Sequence, residues 1–475
     1  MDRRIIPIVA LILIFLAIVI HQNQSYPVCP DCNVIIIAFD AMQYYHTSLT
    51  DSGYHKNTTP NLADFSQQGT VFTDAISPAS WTVPTYVSWF TSLYPSEHKV
   101  VNRYSVYNST YSVVADFRKL RTNTTYTMAD ILKENGYATG AFTGDAGARG
   151  DSGNVKGFDV YVDKPLGFNG FDFSEPLALN WITTHKNQKF FVFLHGYDAH
   201  GQFNLQNFTG RFLNINYTGK FTGSPKEQGQ LREEGLAKGY VNVTQDDVTF
   251  WKAVYDEKIY DADAVFGRFI NNLTQQGLMN NTIIIVASDH GTEMFEHGRV
   301  DHGDTLYQEL IHVPLVVRIP GMNSVKISNT QISILDFMPT VLDALGIKVN
   351  QTIQSQMKGQ SLVQALQSKG VSRDVYSETD YRLYTHKRSI ITTDGWKFIW
   401  TLAEYPNKTN VKELYNLTAD PHETLNVIEE YPRVAYELEQ KVAQHMKDMG
   451  TDINGPWVIG CSPVYSDQCK EVSNE

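Results

Sequence analysis

Cysteine is scarce in this chain: four residues among 475, at positions 29, 32, 461 and 469, all near the two ends. That excludes a small disulfide-built scaffold. Clusters of positive charge are lacking as well. Lys and Arg total 39 against 51 Asp and Glu, a net of −12, and no basic cluster stands out after residue 4. Such a chain has no electrostatic footprint for DNA or RNA, so no nucleic-acid partner is expected. No internal repeat is found, and collagen-like and coiled-coil classes are excluded too. Apolar residues, in contrast, make up 42% of the chain and aromatics 12%. That content excludes intrinsic disorder and allows a large core, in one large or two unequal domains.

The N-terminus sets the expected compartment. Met1 to Arg4 precede an uncharged run from Ile5 to Ile20, followed by polar His21 to Gln24. The run is longer than a usual signal-peptide core and just short of an average transmembrane helix, and no small-x-small cleavage site follows it. Residues 1–24 therefore read as an uncleaved signal anchor with Arg3 and Arg4 cytoplasmic and the rest outside. A buried core helix fits poorly beside a polar linker at the extreme N-terminus. Glycosylation sequons stand at Asn23, Asn57, Asn108, Asn123, Asn207, Asn216, Asn242, Asn272, Asn280, Asn350, Asn407 and Asn416. Composition alone gives roughly four or five, and the excess agrees with export as a glycoprotein. In an oxidising space the cysteines would form disulfides, with three pairings open; a zinc clip between the termini is the alternative.

Continuous apolar runs at Val34–Phe39, Phe190–Leu194, Thr282–Ala287 and Val313–Val317 read as strands buried on both faces. Helical patterns lie between them. Thr59-Pro60 opens one, Met128–Asn135 ends another before Gly136, and Asp246–Gln276 forms a long one ending before Gly277. The alternation predicts an α/β fold: a large, mostly parallel sheet with helices on both faces. A catalytic domain is expected over 33–345. A smaller α+β subdomain follows at 346–450, with strands at Arg388–Thr393 and Lys397–Leu402 and a final helix near Glu429–Met449. The tail, 451–475, reads as irregular and holds the last two cysteines.

In such folds chemistry gathers at the C-terminal ends of strands. Asp40 directly follows the first buried run. Asp289-His290-Gly291 follows Ser288 after the 282–287 run, and His195 and Asp198 to His200 follow the 190–194 run. A single strand-end Asp reads equally well as a helix cap. Three strand ends carrying Asp or His suggest a metal held by oxygen and imidazole, a mixture that suits zinc, iron or manganese better than calcium or magnesium. In Ser77 to Pro95, Pro84 marks a first helical turn and places Thr82 at or just before a helix N-terminus. There the dipole would favour an anionic substrate and a partly ionised hydroxyl, although the residue type alone reads most simply as an N-cap.

From about Asn33 to Met449 the chain resembles the sulfatase family of the alkaline phosphatase superfamily. The pieces carrying the likeness are Asn33 to Asp40, Thr59 to Leu62, Gly69 to Thr73 and Tyr94 to His98, then Gly136 to Gly140 and Phe190 to Phe203. They continue with Ser288-Asp-His-Gly291, Val313-Pro-Leu315, Asp336 to Thr340, Lys397 and Glu413 to Asn426, in family order. The resemblance implies that Asp40, Asp289 and His290 bind a metal and that Thr82 is the nucleophile and touches it. His200 and His302 match positions contacting the transferred group; with Asp198 they are alternatively a second metal site. One or two ions are expected, zinc or manganese rather than calcium. His195, His297 and His46 read as loop or neighbouring histidines.

Four departures stand out. Thr82 replaces the Cys or Ser that becomes formylglycine, and Thr85 and Tyr86 follow Pro84 where the family has x-Arg. Ala41 replaces a second carboxylate, Thr143-Gly-Asp145 lacks the family's lysine, and His290 replaces an Asn. The likeness is then to Thr-nucleophile branches that cleave or transfer phosphate diesters or phosphonate esters. The expected substrate is a small molecule or an envelope glycan or lipid ester. A formylglycine-independent sulfatase and a non-catalytic envelope-binding protein are the alternatives, and oligomeric state is left open.

Overall fold

The computed structural model describes residues 28–453 apart from 51–55, 102–104, 108–112, 117–124, 145, 149, 151–155, 164–166, 206–207, 214–215, 328–329, 367–371, 382–384 and 405–407. The expected anchor at 1–24, Cys461 and Cys469 lie outside the described residues. Among those described, no helix is long and apolar enough to cross a membrane.

A nine-stranded sheet forms the centre. Its order runs Lys326–Ile327, Thr70–Ile76, His312–Arg318, Thr282–Ser288, Asn33–Phe39, Phe190–Gly196, Ala138–Phe142 and Val160–Val162, with Ile332–Ser333 also pairing Thr70–Ile76. Pairing is parallel except where His312–Arg318 runs antiparallel to both neighbours. The first strand shows why its sequence is apolar throughout. Val34, Ile36 and Ala38 join the core on one face while Ile35, Ile37 and Phe39 join the core on the other. Both faces are covered, as the unbroken runs require.

The long helix spans Gln245–Gln275, capped by Thr244, whose side chain accepts from Asp247 N. Thr59 precedes the Pro60–Ser66 helix but does not cap it; its hydroxyl accepts from Ser48 N instead. Near the C-terminus the expected strand pair is a four-stranded antiparallel sheet, Val375–Thr379, Thr385–Ile391, Trp396–Glu404 and Lys408–Asn416. The two outer strands escape a reading based on apolar runs because Val375–Thr379 is short and Lys408–Asn416 is mostly polar. The Pro432–Asp448 helix covers this sheet, setting Leu438, Val442 and Met446 against Ile390, Phe398 and Leu414. Cys29 and Cys32 form a disulfide just before the first strand.

Candidate functional site

The strands Asn33–Phe39 and Thr282–Ser288 are neighbours in register, Phe39 opposite Ser288. The residues after them, Asp40 and Asp289, therefore emerge side by side. Ala41 adopts a left-handed turn, φ 59°, and its N–H donates to Asp289 Oδ1 at 3.1 Å. His290 N donates to the same oxygen at 2.9 Å. The His290 ring donates through Nδ1 to Gly291 O at 2.7 Å, so Nε2 carries the free lone pair.

Thr82 is the first residue of the Thr82–Thr91 helix, and Trp81 occupies the N-cap position. The simple capping role for Thr82 is thereby overturned. Its hydroxyl instead donates to Asp40 Oδ2 at 3.2 Å and lies 3.2 Å from His290 Nε2. Gly147 packs directly on it: a Cβ there would stand 2.8 Å from Thr82 Cβ, leaving no room for a side chain.

Donor atoms of Asp40, Asp289 and His290 lie within 4.8 Å of one another, and all three residues are buried. Asp40 Oδ1 and Asp289 Oδ2 have no hydrogen-bond partner. Burial raises both carboxyls, Asp40 well above the ordinary range and Asp289 to about 6, and their mutual repulsion raises Asp40 further. Burial and the neighbouring His302 hold His290 well below the ordinary imidazole range, hence neutral. Two orphaned carboxylate oxygens and a neutral imidazole with its lone pair turned inward are a donor set that fits a divalent cation.

His200 and His302 lie beside this cluster in a second buried group of possible metal donors; Asp198 belongs to neither. Its Oδ2 accepts from Phe171 N at 2.8 Å, and burial raises its carboxyl to about 7. The third member beside His200 and His302 is Asp301. Asp301 Oδ1 lies 2.5 Å from His302 Nδ1, and its Oδ2 accepts from Gln202 Nε2 at 3.1 Å. Burial works to raise Asp301, but His302 and Arg232 hold it well below the ordinary carboxylate range. A sequence signal existed: Asp301-His302-Gly303 repeats Asp289-His290-Gly291.

His200 adjoins the first cluster, with Nε2 3.9 Å from Asp40 Oδ1. Its Nδ1 accepts from Gln202 N at 3.2 Å, so in the neutral ring Nε2 bears the hydrogen and is a donor rather than a metal ligand. His195 is also part of the site. Its Nδ1 accepts from Gly144 N at 3.1 Å, leaving Nε2 to donate to Asp40 Oδ2 at 3.2 Å. His297 and His46 instead pair with Glu309 and Asp256.

The C-terminal signature braces the loop that carries His302. Lys397 and Glu423 form a fully buried ion pair at 2.6 Å, Glu423 Oε2 accepts from Gln308 N, and Glu423 O accepts from the His297 ring.

The model of the family described as Sulfatase matches residues 32–347. The chain belongs to the sulfatase family. A second model, N-sulphoglucosamine sulphohydrolase, C-terminal, matches residues 295–449 of this sulfatase-family chain. Arylsulfatase K of Xenopus laevis is 22% identical over 470 residues, covering 89% of this chain and 84% of that protein. Arylsulfatase K of Mus musculus is 28% identical over 209 residues, covering 42% of this chain and only 36% of its own length. Among solved structures, the phosphonate monoester hydrolase of Agrobacterium radiobacter superposes with a TM-score of 0.68 at 18% identity, covering 88% of this chain and 96% of that one. The fold is thus that of the alkaline phosphatase superfamily, and the sulfatase-family membership marks the chain as a hydrolase of that superfamily.

Proposed function

We propose that this protein is an extracytoplasmic, metal-dependent phosphoryl or phosphonyl ester hydrolase or transferase that works through a covalent Thr82 intermediate. The observation that carries this reading is the position of Thr82 Oγ1, 3.2 Å from both Asp40 Oδ2 and His290 Nε2 at the start of a buried helix.

A divalent cation seated among Asp40, Asp289, His290 and Thr82, zinc or manganese by its donors, would lower the pKa of the hydroxyl and offset charge on the phosphoryl oxygens. Thr82 Oγ1 attacks phosphorus in line, and its proton passes to Asp40 Oδ2, which already receives its hydrogen bond. The bond from phosphorus to the leaving oxygen breaks as the threonine–phosphorus bond forms. His200 donates from Nε2 to the transferred group, with His302 beside it. This favours one cation and two imidazoles over a second metal site. Water or an acceptor alcohol then breaks the threonine–phosphorus ester and restores the hydroxyl.

The exported location rests on the N-terminal run and the sequons. Of the sequon asparagines, Asn57, Asn216, Asn242, Asn280 and Asn350 are exposed and Asn272 and Asn416 half-buried. The anchor over residues 1–24 belongs to the same proposal, as do the 33–345 and 346–450 division and a small-molecule or envelope ester substrate.

The test compares an aryl phosphodiester, an aryl phosphonate monoester and an aryl sulfate with the metal-loaded protein and its Thr82→Ala variant. Phosphoester or phosphonate cleavage should exceed sulfate release and fall by about 10³-fold or more in the variant. Undiminished metal-dependent turnover by Thr82→Ala would sink the mechanism. The likeness to Arylsulfatase K favours a second reading, a formylglycine-independent sulfatase, and this predicts that sulfate release is the fastest of the three.

A further inference from the structure

We propose that Lys258 is a positioning residue for His200, a single buried ammonium holding the loop that presents this imidazole to the transferred group. The inference rests on the role proposed above for His200 and adds a residue from an element remote in sequence.

Lys258 lies midway along the Gln245–Gln275 helix, and its side chain is buried. Its Nζ donates to His200 O at 3.2 Å and to Gly201 O at 3.3 Å. Among the described residues it makes no ion pair; Asp301 is the carboxylate whose charge it feels, and burial brings its ammonium down to about 8. Keeping an ammonium in such a place is costly unless its hydrogen bonds are needed there. Both of those bonds end on consecutive carbonyls of one short turn.

The turn has little freedom left once Lys258 is in place. His200 N donates to Tyr197 O at 2.9 Å and Phe203 N to His200 O at 3.0 Å. At Gly201 a Cβ would stand 2.4 Å from Gln228 Nε2, so a side chain there would have to displace the Gln228 amide. Gln202 N then meets His200 Nδ1, and this contact leaves the Nε2 hydrogen directed into the site. Phe168 stacks on the ring at 4.8 Å, and Tyr197 meets it edge-on. The lysine thus fixes the backbone from which the tautomer and aim of His200 follow. An ammonium with three hydrogens suits two carbonyls at once, as no neutral side chain of that length does.

The experiment is a double-mutant cycle in the full, metal-loaded chain, using Lys258→Met, His200→Ala and the double variant. It is run on whichever of the three aryl esters turns over fastest, so failure of the phosphoryl reading leaves it intact. His200→Ala and Lys258→Met should each lower kcat/KM by about 10- to 100-fold. The double variant should be no worse than His200→Ala alone, and Lys258→Arg should recover part of the loss. Losses that multiply, or a Lys258→Met protein with full activity, would overturn the proposal. The side-chain nitrogen resonances of His200, recorded on the same proteins, supply a readout independent of turnover. They should shift in Lys258→Met and return toward the parent in Lys258→Arg. An unchanged His200 signal in Lys258→Met counts against it equally.

Discussion

Nε2 of His195 donates to Oδ2 of Asp40 at 3.2 Å, and that same oxygen receives the hydroxyl of Thr82. One carboxylate oxygen therefore links a fully buried histidine on a central strand to the candidate nucleophile. Replacing His195 by Phe keeps an aromatic ring, somewhat larger, and removes the donor. Affinity for zinc or manganese should weaken by about 10- to 100-fold while KM changes little. Competition with a chelator of known affinity measures the first and steady-state kinetics the second; unchanged metal affinity would remove His195 from the site.

Two substitutions test whether Asp198 stands outside the ligand set. Asp198→Asn keeps an acceptor for Phe171 N and should leave metal content and kcat within about two-fold. Asp198→Ala abandons that N–H and should cost about 1–3 kcal/mol in urea denaturation. A loss of bound metal in Asp198→Asn would restore this residue to the ligand set.

Burial of the Asp289 carboxyl makes the metal-free protein sensitive to pH. It pushes this group up to about 6 in the folded protein, above its ordinary 3.8. The folded state then holds a proton that the unfolded state releases, so its stability falls as pH rises from about 4 to 6 and stays lower above. Asp289→Asn removes that penalty. In the presence of a chelator it should be more stable than the parent by about 1–3 kcal/mol at pH 7.5 and little different at pH 4. Equal denaturation midpoints at both pH values would contradict the shift.

Lys397 and Glu423 form an ion pair with no exposure on either side chain. Lys397→Met strands a buried carboxylate and should cost about 3–5 kcal/mol; adding Glu423→Gln should recover part of it. Thermal melts of the two variants decide this, and a single variant as stable as the parent would show that the pair contributes nothing.

Much of this was legible in the sequence where chemistry sits at the end of an apolar run. Asp40, Asp289 and His290 follow strands whose every residue is buried, so their position at one edge of the sheet follows from pattern alone. Thr82 was legible as a helix start, but whether its hydroxyl caps the helix or faces Asp40 depends on the extended backbone of Trp81, which no pattern reveals. Asp301 was harder still. It sits in a two-residue ribbon with φ at 88°, a conformation set by pairing with Glu293 rather than by its own preference. Lys258 reads locally as an ordinary helical lysine, and only the tertiary fold buries it.

The brace between Glu423 and the loop carrying His302 also bears on biosynthesis. Every strand of the central sheet ends by Ser333, yet the contacts that steady Gln308 and His297 come from residues some ninety positions later. A nascent chain emerging N-terminus first can form its sheet and seat Thr82 well before synthesis ends. The His302 loop locks only when the final fifth of the polypeptide arrives. The brace on this loop is therefore completed late, after the central sheet has had time to form.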